Sequence, residues 1–242
     1  MRHLIRFLPF AALTLSQACL AGGPVLLYYY ERPPYMVAHQ DGNATGITAD
    51  VAAKALRRAG IAFTWSLMPA KRQLATIGHN TGRDCGVGWF RNPQREAFGQ
   101  FSHPIYRDRP PVAIVHGGFE PHTNNLAQLL KQPGVQVLVK DGLTYGGYIN
   151  DLLQNTKAKV TSITVEQPQM VRMIAAGRAD MMFAPREEAD FLVTAQESGQ
   201  ESVHVLAFAD VPAGDARYLY CSKQVDSATM AKINAAIDQI AP

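Results

Sequence analysis

The chain has 242 residues, 47% hydrophobic and 18% charged, a globular balance with enough apolar side chain to bury a sizeable core. That composition excludes a disordered tail, a collagen-like repeat and a disulfide-dense mini-protein. Lys and Arg total 23 against 20 Asp and Glu, a net charge of +3 that is too small to argue for nucleic acid or an anionic membrane as partner. The length suits one large domain or two lobes of roughly 100 residues each.

Arg2 and Arg6 give a short positive start, Phe7 to Leu15 is apolar, and Ser16-Gln17 leads to Cys19-Leu20-Ala21. This is the layout of a secretory signal peptide over residues 1–21, with cleavage after Ala21. The apolar stretch is shorter than the roughly 20 residues a membrane span needs. Lipidation at Cys19 is the weaker alternative, because Ser16-Gln17-Ala18 lacks the leucine usual three places before such a cysteine. Removing the segment takes Arg2 and Arg6 and no acid, leaving 21 basic against 20 acidic residues. Partners are therefore chosen by a site and not by bulk charge. Export leaves Cys85 and Cys221 in an oxidising space, where they either pair or stand as two buried thiols; sequence supplies no distance to decide.

Val25 to Tyr30 reads as a strand that breaks at Arg32-Pro33-Pro34, followed by a polar turn over Gln40 to Gly46. A helix follows, with Val51, Ala55 and Ala59 on one face, Ala52 and Leu56 beside them, Lys54, Arg57 and Arg58 pointing away, and Gly60 at its end. Ala62 to Leu67 alternates as a strand, Ala70 to Ile77 is a shorter helix, and Gly82-Arg83-Asp84 enters the small-residue strand Cys85-Gly86-Val87-Gly88. Ile105 to Val115, rich in Arg and Pro, reads as a crossing between lobes. The pattern then repeats: strand Val135 to Val139, helix Tyr145 to Gln154, strand Val160 to Val165, a helix opened by Pro168 and closed by Gly177, and strand Met181 to Ala184. Ala216 to Cys221 reads as the crossing back. A last helix from Asp226 to Ile240 carries Met230, Ile233, Ile237 and Ile240 on one face, predicted to pack on the first lobe. Strands alternating with ten-residue helices mean α/β lobes with parallel sheets.

Several segments, in order, resemble the family 3 periplasmic solute-binding proteins of ABC transporters, amino-acid-binding type. Pro33-Pro34-Tyr35 is similar to the family's first ligand loop, and Gly46-Ile47-Thr48-Ala49-Asp50-Val51 to its Gly-Phe-Asp-Val-Asp-Leu helix start. Asn92-Pro93-Gln94-Arg95 followed by Phe101-Ser102-His103-Pro104 and Tyr106 resembles its Thr-Pro-Glu-Arg and Phe-Ser-Asp-Pro-Tyr signature, with the same six-residue spacing from Arg to Phe. Lys140-Asp141-Gly142-Leu143-Thr144-Tyr145 resembles the second-lobe Gly-Ser/Thr-Tyr turn, and Pro69-Ala70-Lys71-Arg72 a Pro-Trp-Lys-Arg motif with Ala70 in the Trp place. The resemblance implies a type II periplasmic binding protein-like fold: two α/β lobes joined by two crossing hinge strands that close over a ligand. The division expected is residues 22–106 for lobe 1, 107–215 for lobe 2 and 216–242 for the return to lobe 1. The implied protein is a periplasmic monomer that hands a small polar, carboxylate-bearing solute to an inner-membrane permease, without cofactor or catalysis.

The resemblance assigns a ligand carboxylate to Arg95, and the flat, permanently charged guanidinium fork suits that task. It assigns backbone contact to Gly88, where the absent side chain permits close approach. Trp89 and Phe90 either wall the cleft, stack on an apolar or aromatic ligand, or pack in the core; the family commonly has a small hydroxyl residue in the place of Phe90. Tyr35 fits the family's cleft aromatic, Glu31 is a candidate for a ligand ammonium or a solvated loop acid, and Arg72 points at the cleft or lies on a wet face. Thr144 and the amides after Gly142 open a helix whose N-terminus can meet an anion or be capped by Thr144 itself. One departure stands out: the acid that holds an α-ammonium in the family is here Pro185, with Glu187 two residues out of register.

No enzyme signature is present. The seven histidines are scattered, His116 and His122 are not at helical metal spacing, and no Gly-x-Ser-x-Gly elbow, P-loop or dinucleotide fingerprint occurs. A ligand-reporting partner of a membrane sensor, and a periplasmic lyase or hydrolase on the same fold, are the alternatives to transport.

Overall fold

The computed structural model describes residues 22–143, 145–195 and 202–240. The expected signal peptide, residues 1–21, and the candidate Thr144 lie outside the described residues. Strand β1 (Val25–Tyr29) is buried at every position but Leu26. Its alternation splits the tyrosines: Tyr29 joins the main core, and Tyr28 packs with Ile77 and Tyr220 on the other face. A two-residue pair, β2 (Val37–Ala38) and β3 (Ala44–Thr45), precedes helix α1 (Ile47–Arg58). Ala52, Ala55 and Leu56 are buried while Lys54, Arg57 and Arg58 face solvent. The buried stripe is rotated slightly from the expected one, leaving Val51 and Ala59 half-buried at its margins. Arg57 and Arg58 lie in the last turn, where the helix dipole favours cations.

Strand β4 (Phe63–Leu67), helix α2 (Ala70–His79) and strand β5 (Asp84–Phe90) complete the first β-α-β-α-β unit. Helix α3 (Pro93–Phe98) begins with proline, and the Asn92 side chain accepts the Arg95 N–H at 2.9 Å. Short strands β6 (Gln100–Phe101) and β7 (Tyr106–Arg107) follow, and the chain passes to β8 (Val112–His116).

The second unit runs through α4 (Leu126–Leu129), β9 (Gln136–Lys140), α5 (Gly147–Gln154), β10 (Lys159–Ile163), α6 (Gln167–Ala175), β11 (Met181–Ala184), α7 (Arg186–Thr194) and β12 (Val203–Leu206). Helix α5 starts two residues later than its apolar pattern suggests, because Gly146 takes φ +86°, outside the helical region. The chain returns through residues 207–215 to β13 (Ala216–Cys221) and ends in α8 (Ser227–Ile237), capped by Asp226.

The first sheet has the order β4-β1-β5-β13-β6, with β7 also on β13; β1 is parallel to β4 and β5, and β13 antiparallel to β5. The second has the order β10-β9-β11-β8-β12, with β9 parallel to its two neighbours and β8 antiparallel to β11 and β12. The stretch expected to cross back, Ala216 to Cys221, is thus already an interior strand of the first sheet. The crossing itself is the loop before it.

Met230, Ile233 and Ile237 of α8 share one core with β1 and α1, as their spacing predicts. The second sheet is packed on both faces, one core holding Val115, Val137 and Phe183 and the other Ile114, Leu138 and Met182. Cys85 and Cys221 stand opposite each other on β5 and β13 and form a disulfide inside the first core.

Candidate functional site

Strand β13 brings an arginine inside. Arg217 is 1% exposed, and it is held by Asp108, itself 4% exposed, from the segment entering the second lobe. Arg217 Nε and Nη2 donate to the two carboxylate oxygens of Asp108 at 2.6 and 2.7 Å, and Nη1 donates to the Gly88 carbonyl at 3.2 Å. The guanidinium carbon stands 3.9 Å from the centre of the Tyr35 ring and 4.5 Å from that of Phe90. Burial raises the pKa of Asp108, against the lowering pull of Arg217. A buried charge pair survives desolvation only with such geometry.

A second ionic group ties helix α7 to the first lobe. Glu187 and Glu188 lie in its first turn, where acids suit the helix dipole, yet both are buried. Glu187 accepts from Tyr35 Oη at 3.1 Å, Tyr106 Oη at 2.6 Å, and the backbone N–H and Nε of Arg109 at 3.1 Å each. Burial pushes this carboxyl up, but the hydrogen bonds outweigh it and the pKa lies below the ordinary value. Glu188 accepts from Arg32 Nε, and Arg32 Nη1 donates to Tyr30 Oη at 3.1 Å. The acids that follow Pro185 are therefore committed to the protein's own groups across the gap between lobes.

Two cavities flank this bridge. One of about 210 Å³ is lined by Arg32, Phe90, Asp108, Tyr145, Tyr148 and Asp215, together with Pro185 and other small or apolar residues. The other, about 460 Å³, is lined by Tyr30, Glu31, Lys140, Glu166, Glu188 and Phe191 among others.

The residues singled out in the sequence fall around these features unevenly. Tyr35 is fully buried between Arg217 and Glu187, Phe90 walls the smaller cavity and Glu31 the larger. Gly88 has φ +77°, and its carbonyl meets Arg217. Trp89 Nε1 donates to Gln73 Oε1 at 3.1 Å, and the Trp89 ring lies under Arg95 at 4.8 Å. Arg95 Nη1 donates to the Phe90 carbonyl at 2.5 Å; burial lowers its pKa, and it has no carboxylate partner among the described residues. It is not among the residues lining the two cavities. Arg72 is exposed on α2.

Sequence reasoning passed over Asp108, Arg217, Tyr148 and Asp215. The one available signal was an arginine inside the apolar run Ala216 to Cys221. Among the described residues, no group of three or more His, Cys, Asp or Glu is placed to hold a metal ion.

The sequence profile described as "Bacterial extracellular solute-binding proteins, family 3" matches residues 26–241. No curated protein matches by sequence. Among solved structures, an ancestral arginine-binding protein bound to arginine is similar with a TM-score of 0.67 at 17% identity, over 90% of this chain and 91% of that one. The holo form of ArgBP from T. maritima is similar with a TM-score of 0.64 at 18% identity, over 90% and 89%. So is a structure from work on glutathione import through GshT and the cystine ABC importer TcyBC of Streptococcus mutans, with a TM-score of 0.67 at 14% identity, over 90% and 88%. At these identities the likeness is one of fold.

Proposed function

We propose, from the premise that the chain belongs to the bacterial extracellular solute-binding proteins, family 3, that it is an exported receptor delivering a small amino-acid-like solute to an ABC importer. Residues 22–106 and 216–242 form the first lobe in this reading and 107–215 the second, with the solute enclosed between them in the periplasm. It acts by capture and release, without chemistry. The arginine bound by one protein of similar fold, and the cystine ABC importer associated with another, support amino-acid-like solutes and coupling to an ABC importer.

One observation carries the carboxylate in this reading. Arg95 is a partly buried cation whose side chain rests on a carbonyl and an indole ring and, among the described residues, meets no carboxylate. A guanidinium in that state keeps its remaining N–H groups for an incoming anion. The test is thermal-shift screening of the mature chain against amino acids and small carboxylates, followed by calorimetry on any compound that stabilises it. Arg95→Ala should weaken an anionic solute by about 2–5 kcal/mol. Unchanged affinity removes Arg95 from the site, and a silent screen of well-folded protein removes the reading.

A further inference from the structure

The smaller cavity has a composition that the Arg95 argument does not explain. Phe90, Tyr145 and Tyr148 supply three aromatic rings to its wall. Both tyrosine hydroxyls are already engaged, Tyr145 Oη accepting from the Lys140 N–H at 2.7 Å and Tyr148 Oη donating to Asp210 at 2.6 Å. Beyond the O–H donor of Tyr145 and the acceptor lone pair of Tyr148, what these residues offer is ring surface, whose negative face attracts cations.

The charges point the same way. Arg32, on the wall, is neutralised by Glu188, and Arg217, behind Phe90, by Asp108. The remaining charge on the wall is Asp215, whose carboxylate has no hydrogen-bond or ion-pair partner among the described residues. A Cβ built on Gly146, at the start of α5, would stand 3.9 Å from Asp215 Oδ2. The helix N-terminus that would otherwise draw an anion into this cavity therefore has a carboxylate beside it, and a second anion would meet repulsion.

We infer that the cavity walled by Phe90, Tyr145, Tyr148 and Asp215 takes a cationic group of the solute, an ammonium or amidinium-type head on an apolar or flat body. The assignment rests on the reading above, that a solute is captured between the lobes, and adds the class of group that the cavity selects.

The test uses the mature chain and three probes of one shape: phenethylamine, 3-phenylpropanoate and 2-phenylethanol. At millimolar concentration phenethylamine should raise Tm, and the acid and the alcohol should raise it less. Asp215→Asn, at an exposed position, should weaken phenethylamine by about tenfold or more in calorimetry. Asp215→Lys should reverse the preference toward 3-phenylpropanoate. Equal response to the three probes, no response to phenethylamine, or unchanged affinity in Asp215→Asn overturns the assignment. If amino acids or carboxylates stabilise the chain while phenethylamine does not, the cavity assignment fails alone. If both series are silent, the capture reading fails with it.

Discussion

Arg217 and Asp108 meet through two hydrogen bonds of 2.6 and 2.7 Å, across 109 positions of sequence and in nearly complete burial. The pair joins the strand that completes the first sheet to the segment that leaves for the second lobe. Replacing either residue alone leaves an uncompensated buried charge. Arg217→Met and Asp108→Asn should each cost about 3–5 kcal/mol in urea denaturation. The double replacement should recover much of the loss, and additive losses would show that the two residues do not act as a pair.

Glu187 sets an acid limit on the contact of α7 with Tyr35, Tyr106 and Arg109. Its folded pKa is depressed, so its contribution is fully present above the unfolded value of about 4.3 and is lost as pH falls through the folded value. Asp108 has the opposite sign: its pKa is raised, so its burial opposes folding at neutral pH and that opposition fades on acidification. The wild-type chain should lose stability more steeply below about pH 4 than Glu187→Gln does. Parallel pH profiles for the two proteins would refute the role given to Glu187.

Arg32 and Glu188 hold the lobes together directly. Glu188→Gln keeps the shape and removes the charge, and should weaken the bridge by about 1.5–3 kcal/mol. Small-angle scattering without added solute should then give a larger radius of gyration for the variant. An identical scattering curve would mean that other contacts set the closure.

The disulfide joins residues 136 positions apart. In the chain-entropy account, opening a loop of that size costs on the order of 4–5 kcal/mol. Paired Cys85→Ala and Cys221→Ala substitutions should lower Tm markedly, whereas adding reductant to folded protein should act slowly because both cysteines are fully buried. A variant as stable as the parent would show that the surrounding core carries the load alone.

The elements legible in the sequence are those with a long apolar period. The row Met230, Ile233, Ile237 of α8 faces the core as its spacing requires, and the stripe of α1 does so with a slight rotation. Helix α7 has no place in the sequence analysis, and the burial of its two acids depends on distant groups that no local pattern shows, Tyr35 and Tyr106 for Glu187 and Arg32 for Glu188. Ala216 to Cys221 reads as a crossing in the sequence but pairs as an interior strand, with a register shift against β5 between Tyr218 and Leu219. At the site, motif spacing drew attention to Arg95, Tyr35 and Phe90. No local rule pairs Arg217 with Asp108, or sets Asp215 against the turn before α5, because only the folded topology brings those segments together.

The position of β13 between β5 and β6 has a consequence for how the molecule is made. The first sheet lacks an interior strand until Ala216–Cys221 has emerged from the ribosome or from a secretion channel, while all five strands of the second sheet, Val112 through Leu206, are released earlier. The half of the fold that begins the chain is therefore the half that finishes last, and Cys85 must stay unpaired in the growing polypeptide until its partner arrives.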